Sequence, residues 1–330
     1  MIYKMKLSKL LFLTIMSLSL ITAAAVQAQN YYVYAAAESE DEVALIRFDG
    51  KTAHVEKTIP VGVWPFEIEG PHGLTVGLDG QYWYLSMAHG RPNGHLYKYS
   101  TGDDVMIERV ELGLFPATMQ ISSSTGLVYV VNFNLHGDHV PSTVSIVDPE
   151  TMTEIEQVTT GIMPHGSRVS PDGKYHYSVA MMDGQLYEIN SVTMEVERKL
   201  FVGNESEKPL ADMMNMMQMS MGDSKMEHKM EMPTNKPTWA YPHPTERFVY
   251  VANNGAKEVV EVDLDEWKVT RRFPTPPGPY NVEVSKDGTK MVISYKTDAT
   301  IGVWDLKAGK EIAKLPSSRK VTHGAALSPD

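Results

Sequence analysis

Nine of the chain's 21 methionines fall in one stretch, residues 203–236, which reads GNESEKPLADMMNMMQMSMGDSKMEHKMEMPTNK. They are Met213, Met214, Met216, Met217, Met219, Met221, Met226, Met230 and Met232, with His228 among them. No helical or strand period runs through the stretch to bury them. A solvated group of thioethers is a soft ligand set that selects Cu(I) where thiols would be oxidised. A flexible low-complexity insertion without a task is the plain alternative. A second chemical feature is a recurring His-Gly step: His72-Gly73, His165-Gly166 and His323-Gly324. A third is two short histidine-bearing segments, Ala88-His89-Gly90-Arg91-Pro92-Asn93-Gly94-His95 and Leu135-His136-Gly137-Asp138-His139. Neutral imidazole suits copper, zinc, nickel and iron. The same residues have plain readings too. Pro-His-Gly can simply build a turn, its imidazole bonded to a backbone carbonyl, and a loop histidine can simply be solvated.

The elements that position these groups follow from an internal repeat of about 45 residues. Pro71-His72-Gly73, Pro164-His165-Gly166 and Thr322-His323-Gly324 align, with weaker copies at Pro116-Ala117, Pro237-Thr238 and Pro279-Tyr280. The second residue of each copy falls at 72, 117, 165, 238, 280 and 323, and the one wide gap contains the methionine-rich stretch. Each copy carries four short strand signals. An example of the aromatic and β-branched second strand is Val249-Tyr250-Val251-Ala252. Third strands alternate and end in Asp148, Asp263 or Asp305, which close turns by side-chain hydrogen bonds. Four strands per repeat of this length predict an all-β fold, a β-propeller of four-stranded blades. The start at Tyr31-Tyr32-Val33-Tyr34-Ala35 reads as a second strand without a first, and the last copy as a first strand without a second. The two ends completing one blade gives six blades; a chain continuing past Asp330 gives seven. The five tryptophans read as packing and turn anchors.

Propeller topology assigns faces. The loop into a first strand and the loop joining the second and third strands lie on one face. His72, His165 and His323 then sit near the axis, with His89, His95, His136 and His139 in second-to-third loops above them. The methionine-rich stretch with His228 joins a fourth strand to the next first strand, again on that face. Eight of the eleven histidines are expected there, with His54, His176 and His243 elsewhere. Loop-built ends of such folds are where sites gather.

The Val128-Tyr129-Val130-Val131-Asn132 and Val249-Tyr250-Val251-Ala252-Asn253 strands, with the Ser170-Pro171-Asp172-Gly173 turn, resemble the YVTN-type β-propeller repeat family of exported proteins. The resemblance covers nearly the whole chain after residue 28 and implies a fold rather than an activity; its members' usual seven blades favour a chain continuing beyond Asp330. The His-Gly steps are also locally similar to the propeller domain of nitrous oxide reductase, where such steps supply histidines to an axial copper cluster. This chain lacks that enzyme's adjacent His-His pair and has no cysteine for an electron-entry copper domain, so the resemblance does not carry the reduction of nitrous oxide with it.

Residues 1–28 read as a secretory signal peptide, with Lys4, Lys6 and Lys9, an apolar run over 10–26 and Val26-Gln27-Ala28 as a cleavage site. Residues 29–330 form a single propeller domain with the insert at about 203–236, placed in the periplasm or secreted. No other stretch is apolar and long enough to span a bilayer. The absence of cysteine excludes disulfides, thiolate metal sites and iron–sulfur clusters. Net charge is -11, and removal of the three leader lysines takes it to -14. That balance, without a basic run, speaks against nucleic acid as a partner. No Ser-His-Asp order, phosphate loop or haem-attachment motif appears. The expected function is therefore metal binding, with copper as the ion and another periplasmic protein as the other partner the reading allows. The alternatives are a metal-dependent periplasmic enzyme, hydrolase, lactonase or oxidoreductase, and a metal-independent interaction scaffold.

Overall fold

The computed structural model describes residues 29–318 and 320–328, apart from 65, 90–92, 205 and 210–232. Six antiparallel sheets form the blades of a β-propeller, as the repeat predicts. Blades two to six (71–111, 116–162, 164–201, 237–274 and 279–316) each have four strands. Blade one (31–60) has three, Tyr31–Ala37, Glu42–Phe48 and Ala53–Pro60. Among the described residues no helix is long and apolar enough to cross a membrane.

The innermost strands of the complete blades are Pro71–Val76, Pro116–Ile121, Pro164–Val169, Pro237–Pro242 and Pro279–Val284. Each opens on proline. The missing N–H costs nothing at the first position of an edge strand. The residue before each proline takes a left-handed step: Gly70, Phe115, Met163, Lys236 and Gly278 all have positive φ. A register shift follows within the first residues of all five strands. Such an irregularity bends a strand and re-aims a side chain.

Apolar clusters join successive blades. Val43 and Ile59 of blade one pack with Trp83 and Leu85 of blade two. Tyr84 and Val128 share a cluster, as do Tyr129 and Ile189, Val179 and Val251, and Phe273 and Ile293. Among the described residues no such cluster joins blade six to blade one. There the last copy of the repeat stands in. Val321 repeats the left-handed step with φ 64°, and Val321, His323 and Ala325 share a cavity wall with Val33, Tyr34 and Ala35 of blade one. Residues 321–328 form no strand, and a hydrogen bond from Ser294 Oγ to His323 O ties them to blade six. The other innermost strands have their register set by a tight turn into the second strand. No such turn links 321–328 to Tyr31–Ala37.

Asp148, Asp263 and Asp305 close their turns as expected, accepting from Glu150 N, Asp265 N and Ala308 N at 2.8–2.9 Å. Trp83 and Trp304 are buried anchors, whereas Trp64 is 65% exposed and anchors nothing. The segment carrying it has no ladder to hold it against a blade face.

The glycine of the His-Gly step is there for its neighbour. A Cβ on Gly73 would lie 2.0 Å from Ala117 O, and one on Gly166 would lie 2.2 Å from Thr238 O. Gly73→Ala and Gly166→Ala should therefore each destabilise the fold by about 2–4 kcal/mol. Gly80→Ala, where φ is 70° but nothing lies within 4 Å, should cost only about 1 kcal/mol. Thermal or urea denaturation of the three variants checks this order.

Candidate metal and ligand site on the propeller axis

The left-handed step and the bulge turn the second residue of each innermost strand toward the axis. Three imidazoles and a phenol meet there. His72 lies 5.5 Å from His165, ring centre to ring centre; His165 lies 5.2 Å from Tyr280; and Tyr280 lies 4.8 Å from His323. All three contacts are edge-on. Phe115 and Phe133 back the ring of side chains, 5.5 Å from His72 and 4.7 Å from His165.

The tautomer of His165 follows from its partners. Nδ1 lies 3.2 Å from Thr238 O, a pure acceptor, so Nδ1 carries the proton and donates. Nε2 is then an acceptor, and the Tyr280 hydroxyl donates to it at 2.9 Å. His165 thus takes the plain role open to it in the sequence, imidazole on backbone carbonyl, and keeps a second nitrogen directed at the ring of axial side chains. His72 is half-buried and its Nδ1 is buried with no hydrogen-bond partner. His176 likewise has buried, unpartnered ring nitrogens, but His72 alone of the two lines the cavity.

Burial pushes the imidazoles toward the neutral form. It lowers His72, with the nearby His89 adding to the effect, and takes His165 well below the usual value. His323 is exposed, and the partial loss of solvation beside its neighbours, then the Lys296 charge, hold it down to about 4. Neutral imidazole is the form that ligates metal. Lys296, lowered by burial, sits with Nζ 4.6 Å over the Tyr280 ring.

These side chains line a cavity of about 890 Å³ on the axis. Glu38 and His89 stand at its histidine end, 3.4 Å apart. Deeper down, Arg168 of blade four reaches Glu283 of blade six at 2.9 Å, with its guanidinium 4.8 Å over the Trp239 ring. Gly166 leaves the room that the indole fills: a Cβ there would lie 2.9 Å from Trp239 Cδ2.

The remaining histidines divide. His89 packs 5.5 Å from His136, both against Phe115, so the second-to-third loops of blades two and three share the face of the axial histidines. His136 and His139 are exposed, and neither lines the cavity. His95 starts the strand His95–Ser100, edge-on to Tyr97 at 6.1 Å, and stays off the axis. Among the described residues no three His, Asp or Glu side chains are close enough to hold one ion as they stand. Met213 to Met232, His228 and the leader 1–28 lie outside the described residues. The flank of the insert is placed: Asn235 Nδ2 donates to Gly184 O, in the second-to-third turn of blade four, hence on the histidine face. His54, His176 and His243 fall elsewhere, as expected. His54 is exposed on an outer strand. His243 bonds Gly288 O through Nε2 and accepts from Thr245 N and Glu246 N through Nδ1.

Several residues at the site gave no sequence signal. Tyr280 and Thr238 occupy the histidine position in copies where the His-Gly step is absent, so the alignment held their places but not their roles. Glu38 reads as part of an exposed acidic loop, yet it borders the cavity. Arg168, Glu283 and Lys296 are visible only once the blades are closed into a ring.

The fold and site define a six-bladed β-propeller with a lined axial chamber. A functionally unknown protein from Desulfotomaculum acetoxidans DSM 771 is similar in structure, with a TM-score of 0.66 over 93% of this chain and 88% of that one, at 14% identity. Hydrazine synthase from Kuenenia stuttgartiensis is similar with a TM-score of 0.52 over 83% and 92%, also at 14% identity. At that identity the likeness is one of fold alone. No protein-family model and no curated protein matches the sequence.

His176 offers a separate test of how burial controls protonation. It is fully buried, stacked 5.0 Å from Tyr129, with neither ring nitrogen partnered, and burial holds it down to about 3. In the unfolded chain it takes a proton near pH 6.5. The folded state therefore binds fewer protons between pH 6.5 and 3. Stability from this group is complete above 6.5 and falls as the pH drops, by at most about 1.4 kcal/mol per pH unit. His176→Phe keeps the stacking and removes the titration. Its urea midpoint should fall less steeply than that of the parent between pH 6.5 and 4.

Proposed function

We propose that this chain is an exported YVTN-type propeller that binds a transition-metal ion, copper, at the histidine mouth of its axial channel. The methionine-rich segment at 203–236 collects the ion on the same face. The observation that carries the reading is the meeting of His72, His165 and His323, far apart in sequence, around one cavity, with His72 Nδ1 buried and unpartnered. The Nδ1–H of His165 donated to Thr238 O is the arrangement that fixes a ligating imidazole by its far nitrogen. Coordination through Nε2 requires the Tyr280 hydroxyl to turn away. Tyr280 stands between His165 and His323, so joint coordination draws His323, on a segment outside any ladder, toward the other two. Thioethers favour Cu(I) over zinc, and the absence of cysteine suits an oxidising compartment.

Metal analysis of protein recovered from the periplasmic fraction tests the reading, together with anaerobic Cu(I) titration against a competing chelator. The parent should carry copper. Deletion of 213–232 should lower the stoichiometry and leave the axial site. His72→Phe, which keeps the contact with Phe115, should weaken the axial site at least about tenfold. A parent protein free of copper and zinc in both experiments leaves the scaffold reading in its place.

A further inference from the structure

The floor of the axial cavity holds chemistry that a metal at the histidine mouth does not use. Two buried polar atoms there lack partners: Nε1 of Trp239, on a residue 8% exposed, and Oδ1 of Asn281, on a residue 1% exposed. Both residues line the cavity, as do Arg168 and Glu283. One orphan is a donor and the other an acceptor, and the donor's ring lies under the Arg168 guanidinium. The Arg168 guanidinium lies over the Trp239 ring and touches Glu283 through Nη2 and Ser167 O through Nη1. That leaves further N–H groups beside the indole N–H. Asn281 lies two residues before Glu283 in the strand Pro279–Val284, and both line the cavity.

We propose that this floor binds a small zwitterion of the α-amino-acid type. Its carboxylate accepts from Trp239 Nε1–H and the Arg168 guanidinium, and its ammonium donates to Asn281 Oδ1 and the Glu283 carboxylate. Donor clusters built on arginine suit carboxylates. Overall neutrality follows from the floor itself: Arg168 and Glu283 already balance, and a ligand with net charge would leave one buried charge unmatched. The walls above the floor include Leu74, Met119, Val33 and Ala36, which suit a short apolar side chain. The volume is that of a small-molecule site. This inference does not depend on metal binding at the mouth.

The test is calorimetric titration of the full chain, stripped of metal with EDTA, with three probes of one shape: L-valine, isovalerate and isobutylamine. L-valine should bind saturably and raise the melting temperature, and the two half-ligands should bind at least about tenfold more weakly. Trp239→Phe keeps the ring plane and removes the donor; Asn281→Ala removes the acceptor. Each should weaken L-valine about five- to tenfold while the parent's circular dichroism is kept. Should one variant fail to fold, the other and the half-ligand comparison still decide. Equal binding of isovalerate or isobutylamine overturns the proposal, as does unchanged affinity in the folded variants. No heat with any probe, the floor holding water only, overturns it too.

Discussion

One hydrogen bond, made again and again around the axis, sets the geometry of everything else. The carbonyl of the second residue in an innermost strand accepts from a side chain of the blade before it. Ser86 Oγ donates to Ala117 O at 2.7 Å, Thr118 Oγ1 to His165 O at 2.5 Å and Thr238 Oγ1 to Tyr280 O at 2.9 Å. Ser294 Oγ donates to His323 O at 2.7 Å, and between blades four and five the donor is the imidazole of His165. These buried bonds draw neighbouring innermost strands together until only glycine fits at Gly73 and Gly166. They also fix which atom of each axial residue is committed to the frame and which is not. His165 shows both halves of that division in a single ring.

The same rule explains what could be read from the sequence. Pro-His-Gly recurs because proline suits an edge strand, the second residue faces the axis and the third must clear a neighbour's backbone. Each letter answers a separate steric demand, so the motif marks fold and axis together. The Asp148, Asp263 and Asp305 turns are legible for a like reason, since a carboxylate bonding two or three residues ahead is a local event. Tyr280, Trp239 and Arg168 are not legible. Their meaning comes from partners in other blades, as Tyr280 with His165 or Arg168 with Glu283, and one sequence gives no sign of which distant residue will stand opposite. Glu38 is similar: its place at the mouth depends on a blade closed by residues nearly three hundred positions away.

The channel is layered by chemistry. Neutral imidazoles and a phenol, backed by phenylalanine, occupy the histidine end, where burial keeps lone pairs free of protons. A balanced ion pair with an orphan donor and an orphan acceptor lies below. The two ligands proposed above, a soft cation and a neutral dipolar molecule, draw on separate groups of this lining.

The joint between blades six and one differs from the rest. It has the Ser294 bond to His323 O but no ladder strand, no apolar cluster among the described residues, and a β-branched residue, Val321, held in the left-handed region. A joint with few shared apolar contacts and no ladder sits at the low-stability end of a fold. Local opening there leaves the five complete sheets and their shared cores untouched, so the face of the ring that carries His323 is the one whose order is cheapest to lose.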